Sequence, residues 1–226
     1  LLVAACAPRQ QPAAPTVGAV RADPVEASPD VYSVRLENEH VRVLEMRLAP
    51  GARDAWHSHP AEVVRFTRAG QARVHLPDGT TVDKRIEAGE VMWSDAWTHR
   101  VENTGTQEIH AVIVELKQGA APSEMPPGAD PAVVSDDHYG VALENDRVRV
   151  LDMRLPAGER DEMHVHPGYV AYFVSGADLR FAFPDGRTGG REIPQGEVLW
   201  SPPLDHQVEN AGRETAYVWI VELKSR

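Results

Sequence analysis

Six of the ten histidines in this 226-residue chain fall into two matching patterns: His57-Ser58-His59 with His99 further on, and His164-Val165-His166 with His206. Side chains at i and i+2 of a strand point to the same face. Each pair can therefore offer two imidazole nitrogens to one ion, and a third histidine from another strand would complete a facial set. Three imidazoles leave coordination positions open, which suits Fe(II), Mn(II), Ni(II), Cu(II) or Zn(II) acting on a small-molecule substrate or on dioxygen. The donor types alone do not choose among these metals. A His-x-His pair can also persist through hydrogen bonding without any ion.

The segments that must hold these histidines repeat. LENEHVRVLEMRL at 36–48 returns as LENDRVRVLDMRL at 143–155, and residues 36–117 align without a gap on 143–224, with 39 of 82 positions identical. Self-similarity on this scale marks a duplicated unit, so the second triad is not independent of the first. Within each copy the signal is short strands. Val41–Leu48 partly alternates apolar and charged residues and stops at Ala49-Pro50-Gly51, and similar runs follow at 62–67, 72–76, 91–94 and 109–116. Pro77-Asp78-Gly79 and Pro184-Asp185-Gly186 have hairpin-turn chemistry. No helical periodicity is present. The sequence predicts an all-β chain with two barrels or double sheets of about eight strands each. The boundaries read as a first barrel over 30–117, a linker rich in Ala, Pro and Gly over 118–137, and a second barrel over 138–226.

Gly51, His57 and His59, then Gly89, His99 and Asn103, resemble the two motifs of the cupin superfamily, G-x5-H-x-H-x3,4-E-x6-G and G-x5-P-x-G-x2-H-x3-N. Gly158, His164, His166, Gly176, Gly196, Pro202, His206 and Asn210 repeat the match, with one residue fewer before the last histidine in both copies. The resemblance implies tandem double-stranded β-helix (jelly-roll) barrels, with a divalent transition metal held in the first by His57, His59, Glu62 and His99. In the second, His164, His166 and His206 would form a weaker site, because Tyr169 replaces the glutamate and a phenol with a pKa near 10 is a poor ligand at neutral pH. Glu62 follows His59 more closely than the motif specifies, so its angle of approach is altered. Asp95 and Trp97 stand where the second motif has Pro and Gly, and Leu204 replaces that Gly in the second copy. Trp56, Trp97 and Tyr169 are the candidate pocket walls. Trp93 and Trp200 are expected to be core, and His75, His110, Arg65 and Arg73 are candidates for barrel walls whose face the alternation does not decide.

Lys and Arg total 23 against 34 Asp and Glu, a net charge of -11 that disfavours nucleic acid and anionic lipid surfaces as partners. Val3-Ala4-Ala5-Cys6 resembles a bacterial lipobox, which implies acylation of Cys6, a flexible tether over 7–29 and a periplasmic, membrane-anchored protein. The leading expectation is a metal-dependent small-molecule oxygenase or isomerase working in the first barrel. The alternative is a non-catalytic, envelope-tethered protein that binds a small ligand or a metal. Pairing of the two barrels within the chain, with the second serving a structural role, and a homodimer are further expectations.

Overall fold

The computed structural model describes residues 22–117 and 127–224. The described residues form two four-residue helices and eighteen strands. The first half contains α1 (Pro24–Ala27), β1 (Tyr32–Glu37), β2 (Val41–Leu48), β3 (His57–His59), β4 (Glu62–Phe66), β5 (Gly70–His75), β6 (Thr81–Ile86), β7 (Val91–Ser94), β8 (Trp97–Asn103) and β9 (Ile109–Leu116). The second half contains α2 (Pro131–Val134), β10 (Tyr139–Glu144), β11 (Val148–Leu155), β12 (His164–His166), β13 (Tyr169–Phe173), β14 (Ala177–Ala182), β15 (Thr188–Ile193), β16 (Val198–Ser201), β17 (Leu204–Asn210) and β18 (Ala216–Leu223).

Each half is a jelly-roll of two antiparallel sheets around one core. In the first, a five-stranded sheet in the order β1-β2-β9-β4-β7 packs on a four-stranded sheet in the order β3-β8-β5-β6. The second half has the same order, β10-β11-β18-β13-β16 on β12-β17-β14-β15. Alternation along β2 sends Leu44, Met46 and Leu48 into the barrel, where they meet Ile109, Ala111 and Ile113 of β9. Val41 and Val43 point the other way. They join an apolar cluster with Val63, Val112 and Val114 that continues into Val150, Trp219 and Val221 of the second half. Strand β9 is buried at all eight positions because both of its faces are covered. Arg65, 3% exposed on the same outer face, donates to Asp152 at 2.8 Å and to the Tyr217 hydroxyl of the other barrel.

The barrels begin earlier than the composition suggested. Asp23 caps α1 by accepting from the Val25 amide at 2.9 Å, and Pro24 supplies a preset φ at the first helical position. Ser58 of β3 donates its amide to the Ala22 carbonyl at 2.9 Å, and the Ala55 amide donates to Ser28 Oγ at 2.9 Å. Ala129, Asp130 and Ser135 do the same for the second barrel. Residues 22–29 and 129–137, expected as parts of a tether and a linker, are therefore folded elements of their barrels. Cys6 and the rest of the expected anchor lie outside the described residues.

The motif glycines and asparagines have structural work. Gly51 turns the chain after β2 with φ near 72°, a left-handed conformation that disfavours any residue bearing a Cβ. Its amide donates to the Asn103 carbonyl at 3.0 Å. The Asn103 side chain donates to the Leu48 and Gln107 carbonyls, both at 2.8 Å, and accepts from the Gly105 amide. Asn210 repeats this clamp in the second barrel.

Candidate metal centres

The short strands β3 and β8 pair with His57 directly opposite His99, and β12 and β17 pair with His164 opposite His206. Two-residue alternation then brings His59 and His166 to the same interior face. In each barrel the donor atoms of the three histidines lie within 4.8 Å of one another. All six rings are at most 4% exposed.

Hydrogen bonds fix which nitrogen four of the six rings, those of His57, His59, His164 and His166, turn inward. His57 Nδ1 is 2.8 Å from the Ala55 carbonyl, an acceptor only, so Nδ1 carries the proton and Nε2 keeps its lone pair. Tyr32 reaches that Nε2 at 3.3 Å, but its hydroxyl proton is directed to Asp54 at 2.8 Å. His59 Nδ1 donates to Glu115 at 2.7 Å. Glu115 in turn accepts from Arg42 Nε at 2.6 Å, and Arg42 bridges to Asp23 at 2.5 Å. A carboxylate on the far nitrogen of a ligand histidine fixes its tautomer and raises its basicity. The second barrel repeats every link: His164 Nδ1 to Glu162 O at 2.7 Å, His166 Nδ1 to Glu222 at 2.5 Å, Arg149 between Glu222 and Asp130, and Tyr139 to Asp161 at 2.8 Å.

Burial, together with the neighbouring rings, pushes His57 and His164 down to about 4 and His99 and His206 down to about 2. These imidazoles are neutral at pH 7 and have lone pairs to give. Burial also opposes a charge on His59, but the Glu115 hydrogen bond and the nearby Glu62 leave it above its ordinary value. Glu115 and Glu222 are held below the carboxylate range despite their burial, by the histidine and arginine each contacts. Asp54 and Asp161 are pushed up to about 6, chiefly by burial.

The donor set fits a divalent ion. His164 Nε2 and His166 Nε2 stand 3.0 Å apart, each on a ring whose Nδ1 already donates, so two lone pairs face one another. Two nitrogens about 2.1 Å from one ion and about a right angle apart would be separated by about 3.0 Å. Buried His99 Nδ1 and His206 Nδ1 have no hydrogen-bond partner, the kind of orphaned polar atom that calls for an explanation by an ion or ligand.

Two expected site residues stand elsewhere. Glu62 opens β4 in the five-stranded sheet. Its carboxylate accepts from the Trp97 indole at 2.9 Å and lies 3.1 Å from His59 Nδ1, grouped with His59 and Glu115 rather than with the three imidazoles. The short spacing after His59 brings it to the outer edge of that ring. Trp56 is not among the residues lining either barrel's cavity. It precedes His57, so alternation turns it away from the interior, and it lies 5.1 Å from the Arg100 guanidinium. Trp97 and Tyr169 do line the cavities. Trp97 stacks on His99 at 3.7 Å, and Tyr169 packs 4.9 Å from His166, its phenol pushed up to about 12 by burial. Trp93 and Trp200 pack on the interbarrel cluster, and Trp200 also borders the second cavity.

Sequence reasoning missed Glu115 and Glu222, Tyr32 and Tyr139, and Asp54 and Asp161. A signal was present for each. The two glutamates are solitary carboxylates in otherwise apolar runs, IHAVIVEL and AYVWIVEL, and every pair recurs at the repeat offset.

Comparison with known proteins places these features. Residues 44–115 match the family described as a cupin domain. Among solved structures, AerE from Microcystis aeruginosa covers 85% of this chain and 97% of its own length at 15% identity, with a TM-score of 0.60. An oxalate decarboxylase variant from Bacillus subtilis covers 88% of this chain and 76% of its own at 15% identity, with a TM-score of 0.63. A Cupin 2 conserved barrel domain protein from Leptotrichia buccalis covers 86% and 88% at 14% identity, with a TM-score of 0.51. At these identities the likeness is one of fold. No curated protein matches the chain.

Proposed function

We propose that this chain, whose first half matches the cupin domain family over residues 44–115, is a divalent-metal enzyme acting on a small molecule, an oxygenase or isomerase, with one tri-histidine site in each barrel. The observation that supports this is the convergence of three buried imidazoles in each barrel, two of them with the outward nitrogen already tied to a carbonyl or a carboxylate. Mn(II) centres in Bacillus subtilis oxalate decarboxylase make manganese a metal to test first. A bound divalent ion would supply Lewis acidity toward a substrate carbonyl or enediolate or, if redox-active, electrons for dioxygen chemistry.

The chain's own residues supply orientation and exclusion. Glu115 and Glu222 hold His59 and His166 in the tautomer that leaves Nε2 bare, and the backbone carbonyls of Ala55 and Glu162 do so for His57 and His164. The apolar walls around the triads keep bulk water away and strengthen charge interactions inside. A screen of carbonyl, enediol and ring-hydroxyl compounds, read by oxygen uptake and by NMR for isomerised product, tests the reading. Turnover that needs added Mn(II) or Fe(II) and vanishes in His206→Ala and His57→Ala together is expected. Turnover unchanged in that double variant would overturn it.

One observation favours a non-catalytic role for the first barrel: Trp97 covers His99 there and donates to Glu62, which leaves little room beside the triad. We also propose that Cys6 anchors the protein to the bacterial cell envelope, in the periplasm. Cys6→Ser should then move it from the membrane to the soluble fraction, and a fully soluble wild type would refute the anchor.

A further inference from the structure

The two barrels differ most in the space beside their triads, and the difference traces to two pairs of corresponding residues. In the first barrel the Trp97 indole lies over His99 and binds Glu62, and the cavity is about 70 Å³. In the second, Leu204 and Tyr169 take those places and the cavity is about 260 Å³. An apolar cavity of about 150 Å³ takes up benzene. The first barrel therefore has no room for a ring, whereas the second has room for a ring with one or two substituents.

The walls of the larger cavity are apolar, formed by Met153, Phe173, Leu179, Phe181, Leu199 and Val218. Apart from Ser201 and Arg191, its polar groups are buried parts of the lining: His166 and His206 are 1% and 3% exposed, and the Tyr169 phenol stands beside His166. His206 Nδ1 is buried there without a partner. At the open end Arg191 is half exposed, with Glu197 already 3.4 Å from its guanidinium, so it offers little free charge to an incoming anion. A mostly apolar body thus meets apolar walls, and a single polar group meets the histidines.

We infer that the second barrel, not the first, is the substrate site. It accepts a small, mostly apolar molecule, one substituted ring or a branched chain of similar size, whose one oxygen-bearing group faces His166 and His206. The role of that oxygen-bearing group rests on the metal reading above, whereas binding of the apolar body does not. This reverses the expectation that placed the reaction in the first barrel.

The test separates the two. Metal-free protein is titrated with toluene, and zinc-loaded protein with benzoate and with acetate, by NMR and calorimetry. Toluene should bind the wild type at one equivalent per chain, and benzoate should bind at least about tenfold more tightly than acetate. Leu204→Trp, which imports the first barrel's plug, should lose toluene and benzoate while keeping its zinc. Trp97→Leu should gain a second equivalent of toluene. If Leu204→Trp does not fold by circular dichroism, Leu204→Phe carries the same expectation with a smaller insertion. No saturable toluene binding, or equal binding in wild type and the filled variant, overturns the inference. Toluene binding without zinc retention would sustain the cavity assignment and sink the metal reading.

Discussion

Glu222→Gln isolates the part of the second site that sequence reasoning did not find. Glu222 is 2% exposed at its side chain, accepts from His166 Nδ1 at 2.5 Å and from Arg149 Nε at 2.6 Å, and is too buried for bulk solvent to replace either contact. Glutamine keeps the shape and one acceptor. With its oxygen on His166, however, its amide turns N–H groups toward the arginine, so a donor faces a donor. One charge-assisted hydrogen bond, worth about 1.5–3 kcal/mol, is lost. Arg149 retains Asp130 at 2.5 Å, which limits the further loss from an uncompensated charge. Loss of such an outer carboxylate typically weakens a metal site about 10–100-fold, or about 1.4–2.7 kcal/mol of binding. The assay is competition for Zn(II) against a chelator of known affinity, alongside urea denaturation of the metal-free protein. We expect one of two sites to weaken in Glu222→Gln, the other in Glu115→Gln, and both proteins to be destabilised. A variant that is destabilised but binds zinc at both sites as tightly as wild type would show that the carboxylate only packs the barrel and does not orient the ligand.

Glu45 is held down to about 2, against the effect of its own burial, by His110, Arg35 and Arg47. Its folded pKa is below its unfolded one, so its contribution is present above about pH 4.5 and fades as pH falls toward 2. Glu45→Gln should therefore cost about 1 kcal/mol at pH 7, in view of its exposed arginine partners, and nothing near pH 2; a cost independent of pH in denaturant titrations would contradict this. Arg65→Ala removes the guanidinium that joins Asp152 and Tyr217 to the first barrel, and should lower stability by about 1.5–3 kcal/mol by urea denaturation without changing zinc content. Asn103→Ala breaks the three hydrogen bonds made by this buried side chain at the end of β8, one of them fully buried, and should cost about 3 kcal/mol, read as a shift in thermal midpoint.

The triads were legible because strand alternation and the repeat together place His57, His59 and His99 with little freedom. What lay beyond them depended on contacts between distant strands. Glu115 meets His59 only because β9 lies next to β4 in the five-stranded sheet, an adjacency that spacing along the chain does not give. The early start of each barrel was hidden by composition. Asp23-Pro24 and Ser28 look like tether residues until their recurrence as Asp130-Pro131 and Ser135 is read as part of the repeat, and their cap and edge contacts then explain why they fold. Trp56 and Trp97 both flank proposed ligands, yet only Trp97 reaches the interior, because Trp56 is an odd step from His57 while Trp97 is an even step from His99. Which barrel has room for a substrate was a matter of side-chain volume at Trp97 and Leu204, set by packing rather than by motif.

The most direct measurement is the metal content of the protein after loading with Mn(II) or Zn(II) and exhaustive dialysis, for the wild type, His57→Ala and His164→Ala. Two tri-histidine centres predict two equivalents in the wild type and one in each variant, with circular dichroism showing that both variants remain folded. Less than a tenth of an equivalent in the wild type, or a content that neither substitution changes, would mean that the converging imidazoles hold the barrels together without an ion.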